Sequence, residues 1–198
     1  MAALPKQRYS PQEYLALDRA SEFKHEYVNG EVFMMTGASR EHNAITFNIA
    51  GALRTQLRGK PCQGYVNDMR VRIEGKRYAY PDVVVVCGTP EFEDAEVDTL
   101  LNPTVIIEVL SPSTEAYDRG TKFKKYREMP TLQEIVFVAQ DAPHFEHYKR
   151  NELGEWVLAD VMGLEADSHF PSINCTLHLG DVYDNVGFDA PTNSDEHP

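Results

Sequence analysis

The sequence predicts an α+β, or mixed α/β, fold built around one sheet. Two short apolar runs, residues 80–86 and 104–110, are rich in β-branched residues and are typical of strands buried on both faces. Amphipathic helical patterns precede and follow these runs, which favours a sheet flanked by helices. The chain has 198 residues, enough for a full core. We predict one domain over residues 1–186 and a polar, disordered tail over residues 187–198.

Two helices and a hairpin are predicted before the apolar runs. Ser10 and Pro11 begin a short helix, since proline is favoured in the first turn. Asn29–Gly30 forms the turn of a hairpin over residues 27–33. Ser39 caps a second helix. The buried face of this helix repeats every four residues, at Ile45, Ile49, Leu53 and Leu57.

The remaining elements surround or follow the apolar runs. Residues 67–73 alternate polar and apolar side chains and predict a half-exposed strand. Ser111–Thr114 ends the second run and caps a helix that continues to about Glu128. Further strands are predicted at residues 134–138, 144–148, 156–159 and 175–179, and the middle two of these form an antiparallel pair.

Two acidic residues interrupt the apolar runs. Glu108 lies in the middle of the second run, and Asp82 begins the valine run of the first. Burial of an unpaired carboxylate costs roughly several kcal/mol, so such a group is protonated, paired or given a cation. Two buried strands that each present one acid make a divalent-metal site our leading hypothesis. The alternatives are that Asp82 is a structural acid at a strand edge and that Glu108 pairs with a core arginine or lysine.

Lys122 is the lysine best placed to act beside these acids. It follows Asp118 by four residues and precedes Tyr126 by four, so the three share one face of the predicted helix. That helix begins a few residues after Glu108, and we expect it to pack over the same end of the sheet. A surface ion pair between Lys122 and Asp118 is the alternative.

The charge distribution leaves the type of partner open. The net charge of −12, from 19 basic and 31 acidic residues, argues at first sight against nucleic acid. The acids concentrate in residues 91–98 and 184–198, however, and basic residues cluster in 70–77 and 119–127. A basic groove on an acidic body and two solvated faces both fit this pattern. Arg70 and Arg72 are accordingly phosphate contacts or solvated strand charges.

Hydropathy and cysteine usage predict a cytoplasmic protein. No apolar stretch is long enough to span a membrane, and residues 1–6 lack the apolar core of a secretory signal. Cys62, Cys87 and Cys175 are odd in number and widely spaced. We therefore predict reduced thiols.

Several motifs together carry a family resemblance. They are Pro81–Asp82, the run from Glu108 through Val109 and Leu110 to Ser111–Thr114, and the pattern of Asp118, Lys122 and Tyr126. Residues 26–31, 39–43 and 68–71 add to them. This set resembles the Uma-type family, a branch of the PD-(D/E)XK fold of restriction endonucleases. The resemblance extends from about Tyr9 to Tyr183 and so covers nearly the whole chain.

The resemblance implies a fold and a metal site. The fold is a restriction-endonuclease-like core, with a central mixed sheet flanked by helices and extra antiparallel strands toward the C-terminus. The metal is Mg²⁺ or Mn²⁺, held by Asp82, Glu108 and the backbone carbonyl of Val109. The substrate is DNA, and the reaction is hydrolysis of its phosphodiester bonds.

The resemblance also implies catalytic residues, with one departure from the wider superfamily. Asp82 and Glu108 are expected to be catalytic through the metal. The superfamily lysine, two residues after the glutamate, is replaced here by Leu110, and Lys122 on the following helix would take its place. His42 and Glu26 are lesser candidates.

Two rival functions use the same residues differently. The first is a catalytically inactive nuclease-fold module that binds DNA or protein, which the leucine at position 110 favours. The second is a metal-dependent hydrolase of a small phosphoester, whose activity would depend less on salt because few counterions are released. A homodimer is expected only by analogy with nucleases that cut both strands.

Overall fold

The helices are few and mostly short. The computed structural model describes residues 7–73, 77–112 and 115–188. Its helices are α1 (Pro11–Ala20), α2 (Arg40–Gln56), α3 (Glu115–Tyr117), a π-helical turn (Asp118–Lys122), α4 (Phe123–Tyr126) and α5 (Leu179–Val182). None of these helices is long and apolar enough to cross a membrane.

The strands make up most of the regular structure. They are β1 (His25–Val28), β2 (Glu31–Met34), β3 (Cys62–Val66), β4 (Arg70–Ile73), β5 (Arg77–Ala79), β6 (Val83–Cys87), β7 (Thr99–Leu100), β8 (Val105–Val109), β9 (Glu134–Val138), β10 (His144–Arg150), β11 (Trp156–Met162), β12 (Asp167–Phe170) and β13 (Cys175–His178). The predicted α+β class is confirmed.

The central sheet has six strands in the order β11-β10-β9-β8-β6-β3. It is mixed, because β8 and β9 run parallel while the other neighbours run antiparallel. The two predicted apolar strands, β6 and β8, lie side by side in this sheet. All five residues of β8 are buried, as expected for a strand covered on both faces.

The prediction of a single sheet is wrong, because a second, five-stranded sheet covers one face of the central sheet. Its order is β2-β1-β5-β4-β7. Alternate residues of the central strands, such as Val84 and Ile106, share a core with Val71 and Leu100 of the second sheet. The intervening residues point to the opposite face and pack against α2, α5 and the β12–β13 hairpin.

The predicted caps, hairpin turn and buried helix face of the N-terminal elements are confirmed. Ser10 caps α1 and forms a capping box with Glu13, whose side chain accepts from the Ser10 backbone N–H. In the β1–β2 hairpin, Asn29 and Gly30 both have positive φ angles of 50° and 98°, as a two-residue type I′ turn requires. Ser39 caps α2, and the predicted stripe is buried at Ile45, Ile49, Leu53 and Leu57.

The predicted helix from residue 115 to about Glu128 is wrong in detail. It is divided into α3, the π-helical turn and α4, and Gly120 lies inside the π-helical turn. Tyr126 on α4 is fully buried, whereas Tyr117 at the end of α3 is 36% exposed. The strands β3, β5, β7 and β12 were not predicted, because they are short and mostly lack a continuous apolar run.

Two further predictions are corrected by the structure. Arg70 is neither a phosphate contact nor a solvated charge, because it is 3% exposed and its Nη2 lies 2.7 Å from Asp18 Oδ2. Cys62 and Cys87 are not free thiols, since they form a disulfide between the paired strands β3 and β6. Cys175 is a free thiol, as predicted for all three, and it is buried.

Parts of four predictions lie outside the described residues. These parts are residues 1–6 of the predicted domain, residues 189–198 of the predicted tail, Ser113 and Thr114 of the predicted cap, and residues 74–76 of the first basic cluster.

Candidate active site

Strand pairing brings the two predicted acids together. β6 and β8 are antiparallel, with Val83 opposite Ile107, so the same register continued by one residue sets Asp82 opposite Glu108. Residues directly opposite each other project from the same face of a sheet. The backbone N–H of Val109 donates to Asp82 Oδ2 at 2.7 Å and fixes that side chain beside the end of β8.

Two side chains from the segment after β8 reach Glu108. Lys122 Nζ lies 2.9 Å from Glu108 Oε1, and the Tyr126 hydroxyl donates to the same oxygen at 2.6 Å. All three residues are buried. The shared face of Lys122 and Tyr126 was predicted from their spacing, although the backbone between Asp118 and Lys122 is π-helical.

Lys122 is surrounded by carboxylates. Besides Glu108, its Nζ lies 3.1 Å from Glu26 Oε1 and 3.5 Å from Asp118 Oδ1. Glu26 comes from β1, in the second sheet, so the lysine joins both sheets and the π-helical turn. The alternative prediction, that Lys122 forms only a surface ion pair with Asp118, is therefore wrong, because both residues are buried within this larger cluster.

The first turn of α2 adjoins the acids on the other side. His42 Nε2 lies 3.2 Å from Asp82 Oδ1. Ser39, the cap of α2, donates through Oγ to Gln140 Oε1 at 2.7 Å, and Gln140 Nε2 donates to the carbonyl of Leu110. Gln140 therefore ties the start of this helix to the segment that leaves β8.

Gln140 was missed by sequence reasoning, although a signal for it exists. It is the second residue after β9, and β8 and β9 are parallel neighbours. The carboxyl ends of parallel strands lie at the same edge of a sheet, so polar residues that follow both strands meet there. The parallel pairing itself could not be read from the sequence.

Burial and charge shift the pKa values within this cluster. Burial raises the pKa of Glu108 to about 8, although the nearby ammonium of Lys122 opposes the shift. Burial acts in the opposite sense on Lys122, but Glu108 and Glu26 outweigh it and raise the pKa of Lys122 well above its ordinary value. The protonated form of Lys122 is therefore favoured at neutral pH.

These residues form the floor of a cleft of about 840 Å³. Its charged side chains are four carboxylates and two lysines, namely Glu26, Asp82, Glu108, Asp118, Lys24 and Lys122. With all six ionised, the cleft carries a formal charge of −2. The rest of its wall is largely apolar and comes mainly from the β1–β2 hairpin and from the segment that follows it.

The donor set fits a hard divalent cation with few protein ligands. Among residues 7–73, 77–112 and 115–188, no three His, Cys, Asp or Glu side chains form a group that could hold a metal ion by themselves. Mg²⁺ needs no such cage, since it keeps several waters and takes one or two carboxylates. Asp82 and Glu108 provide those two oxygen donors, the latter once a cation displaces the proton that burial favours. With all six groups ionised, one dication would balance the charge of the cleft.

Two proteins of Synechocystis are similar in sequence to this chain over most of its length. The chain is 36% identical over 159 residues to the uncharacterized protein sll1609 of Synechocystis, a match that covers 80% of this chain and 90% of that protein. It is 31% identical over 185 residues to the uncharacterized protein slr1290 of the same organism, covering 93% and 96%.

A solved structure shares the fold at low sequence identity. The crystal structure of a putative nuclease of the DUF820 group from Anabaena variabilis superposes with a TM-score of 0.74 at 16% identity, over 90% of this chain and 99% of that one. The expectation of a nuclease-like fold is thereby confirmed. The model of the Uma2 family, described as "Putative restriction endonuclease", matches residues 11–179. The chain therefore belongs to the Uma2 family.

Proposed function

We propose that this protein is a Mg²⁺- or Mn²⁺-dependent endonuclease that hydrolyses phosphodiester bonds of DNA. The observation that carries the proposal is the placement of Asp82 opposite Glu108 on the floor of a cleft, with Lys122 Nζ 2.9 Å from Glu108 Oε1. Membership of a family described as restriction endonucleases supports the same reaction class.

The two acids and the backbone carbonyl of Val109 would hold the cation. When bound, the cation supplies Lewis acidity that favours ionisation of a water molecule and offsets charge on the phosphate. Asp82 is already oriented for this role by the N–H of Val109 and by His42. We assign His42 to positioning Asp82, because its Nε2 faces that carboxylate.

Lys122 would act as a cation and hydrogen-bond donor rather than as a general base. Its raised pKa keeps the ammonium protonated, so it can orient the attacking water and hold a phosphate oxygen but cannot accept a proton. Glu26 and Asp118 hold the ammonium in place, and the Tyr126 hydroxyl fixes the carboxylate that faces it. In this way Lys122, from the π-helical turn, would replace the superfamily lysine whose position is occupied by Leu110 in this chain.

Cleavage of circular DNA tests the proposal directly. Supercoiled plasmid and single-stranded circular DNA are incubated with the purified protein and Mg²⁺ or Mn²⁺, and products are separated on agarose. We expect nicking or linearisation that stops in EDTA and in the Asp82→Asn and Glu108→Gln variants. Glu152→Gln, the same substitution at an exposed site, should cleave like the wild type. Cleavage that persists in Glu108→Gln would contradict the assignment.

Metal binding can be measured without any cleavage. A cation that binds only the folded protein stabilises it by about 2.7 kcal/mol at one hundred times its dissociation constant. We therefore expect the melting temperature to rise in millimolar Mn²⁺, and the rise to disappear in Asp82→Asn. An unchanged melting temperature in the wild type would count against an accessible metal site.

The two rival functions predict different results. An inactive binding module would retain DNA in a mobility-shift assay but never cleave it, with or without metal. Leu110, which occupies the position of the superfamily lysine, is 4% exposed and belongs to the core. No side chain at that position can therefore supply the catalytic ammonium, which favours this rival. A hydrolase of small phosphoesters would cleave a chromogenic phosphodiester with little dependence on salt. Lys122 beside Glu108 is our reason to prefer the nuclease.

A further inference from the structure

Exposed apolar side chains line the walls above the two acids. Phe33 is 47% exposed and Met34 is 59% exposed, and both come from β2. Tyr117, 36% exposed, comes from α3. All three line the same cleft as Asp82 and Glu108. A nuclease cleft with an apolar wall needs an explanation, because a DNA backbone presents only charged and polar groups at its surface.

Several basic residues of the two predicted clusters lie in ion pairs with acids of the protein itself. Arg70 is buried against Asp18. The other pairs in the two predicted basic clusters are Arg72 with Glu93, Arg119 with Glu115 and Glu146, and Lys125 with Glu128. These pairs reduce the positive charge that the clusters could offer to a DNA backbone, which disfavours the basic groove that the charge pattern left open.

The cleft itself offers little positive charge to phosphates. Its two lysines both lie in ion pairs, Lys24 with Asp68 and Lys122 with the acids of the floor. Duplex binding depends on lysines and arginines that displace counterions from many phosphates. Affinity for a nucleic acid must therefore come from another part of the substrate.

We propose that this cleft takes a single-stranded segment of DNA, whose unstacked bases lie against Phe33, Met34 and Tyr117. The inference rests on the proposed function and names the substrate class of the same site. Bases stack on aromatic side chains without regard to sequence, and each such stack contributes roughly 5- to 150-fold to affinity. In a duplex these base faces are covered by neighbouring bases, so a duplex would have to melt locally first.

The structure also provides a matched control. Phe47 is 77% exposed on α2, and it lines a different groove, between this helix and β3. It is an exposed aromatic residue like Phe33, but it does not line the cleft above Asp82. Phe33→Ala and Phe47→Ala therefore remove the same side chain from an exposed position on two different surfaces.

Fluorescence anisotropy in EDTA tests the inference without cleavage. The full chain is titrated into a labelled, mixed-sequence single-stranded oligonucleotide and into its duplex at several salt concentrations. We expect tighter binding of the single strand, with a shallow dependence on salt. Phe33→Ala and Tyr117→Ala should each weaken single-strand binding by roughly 5- to 150-fold, whereas Phe47→Ala should bind like the wild type. Circular dichroism and melting temperature verify that each variant is folded.

Three outcomes of the binding assay would overturn the inference. They are duplex binding as tight as single-strand binding, equal affinities of Phe33→Ala and Phe47→Ala, and no binding of either DNA. The last would favour a protein partner for the apolar wall. Failure of the proposed function is distinguishable, since it would leave single-strand binding in EDTA intact while no DNA is cut. Cleavage of duplex plasmid that is unaffected by Phe33→Ala would reject this inference alone.

Discussion

Lys122 Nζ lies 2.9 Å from Glu108 Oε1, although the two residues are fourteen positions apart in the chain and belong to different elements. Glu108 is in the centre of the sheet, on β8, and Lys122 ends a π-helical turn. Single π-helical turns of this kind occur often at functional sites. The contact gives this chain a buried ammonium beside its glutamate without a lysine on the strand.

Replacement of Lys122 by methionine should lower both stability and activity. The variant keeps the length of the side chain but leaves Glu26 and Glu108 facing each other without a cation. Loss of one partner from a buried ion pair costs about 3–5 kcal/mol in the free energy of unfolding. Cleavage should fall by at least roughly 100-fold, since a positioned donor is lost. Urea denaturation and the plasmid assay measure the two effects.

Lys125→Met is the control for this prediction. Lys125 is on the next turn and pairs with Glu128 at the surface, where such a pair contributes under about 1 kcal/mol. If the two variants unfold at the same urea concentration, Lys122 is not the internal counter-charge of the site. If Lys122→Met is unstable but cleaves DNA at the normal rate once folded, the lysine has a structural role only.

The sequence predicts the acids of the site better than the groups that orient them. Asp82 and Glu108 stand out because a carboxylate in a buried strand is costly, and that argument needs no structure. Lys122 follows from its spacing to Tyr126. The π-helical turn does not follow, because one extra residue in a helical turn leaves no distinctive pattern. Gln140 depends on the parallel pairing of β8 with β9, which is a tertiary feature.

Arg70 and Arg72 show why the basic cluster was misread. The two residues are two positions apart on β4 and project from the same face, but Arg70 is buried beneath neighbouring side chains while Arg72 is exposed. Charge counting treats the two alike, whereas the structure buries Arg70 against Asp18, Tyr80 and Thr99. The acid that neutralises Arg70 comes from α1, far away in sequence, and only the tertiary fold brings it there.

This difference predicts unequal effects of the same substitution on neighbouring residues. Arg70→Met should lower the free energy of unfolding by about 3–5 kcal/mol, because the carboxylate of Asp18 is then buried without its partner. Arg72→Met should lower it by less than about 1 kcal/mol, since Arg72 pairs with Glu93 at the surface. Chemical denaturation of both variants provides the measurement. Equal losses in the free energy of unfolding of the two variants would mean that Arg70 does not form a buried ion pair.

The disulfide between Cys62 and Cys87 predicts a response to reductant. The two cysteines are 25 residues apart, and closing a loop of that size stabilises a protein by about 3 kcal/mol through the unfolded state. We expect the melting temperature to fall in dithiothreitol, and a Cys62→Ala/Cys87→Ala variant to show no such response. Thiol labelling followed by mass spectrometry should find Cys175 unlinked. Two free thiols at positions 62 and 87 in protein kept without reductant would contradict the pairing.

A buried histidine outside the cleft predicts how stability depends on pH. His147 Nε2 lies 2.6 Å from Glu134 Oε2, and its Nδ1 lies 2.8 Å from Ser168 Oγ. Burial lowers the pKa of His147 below its ordinary value, and Lys149 and His169 act in the same direction, while Glu134 opposes them. The folded protein therefore binds fewer protons at this site than the unfolded chain does over the interval between the two pKa values.

It follows that His147 weakens the fold as the pH falls. Above about 6.5, the ordinary pKa of histidine, the neutral form of His147 is favoured in both the folded and the unfolded protein. In this range its burial does not lower the free energy of unfolding. As the pH falls below that value toward the lowered pKa, the unfolded chain takes up a proton first and the free energy of unfolding decreases. Urea denaturation between about pH 7.5 and 5.5 should show a smaller decrease for His147→Gln than for the wild type.

His178 provides a control of opposite sign. Its hydrogen bond to Asp167 raises the pKa of this exposed imidazole. The contribution of His178 to the free energy of unfolding is therefore fully present below the ordinary pKa of histidine. It is lost as the pH rises through the raised pKa of the folded protein. His178→Gln should make the loss of stability on acidification larger than in the wild type, while His147→Gln should make it smaller. Changes in the same direction for both variants would show that the pKa of His147 is not lowered in the folded protein.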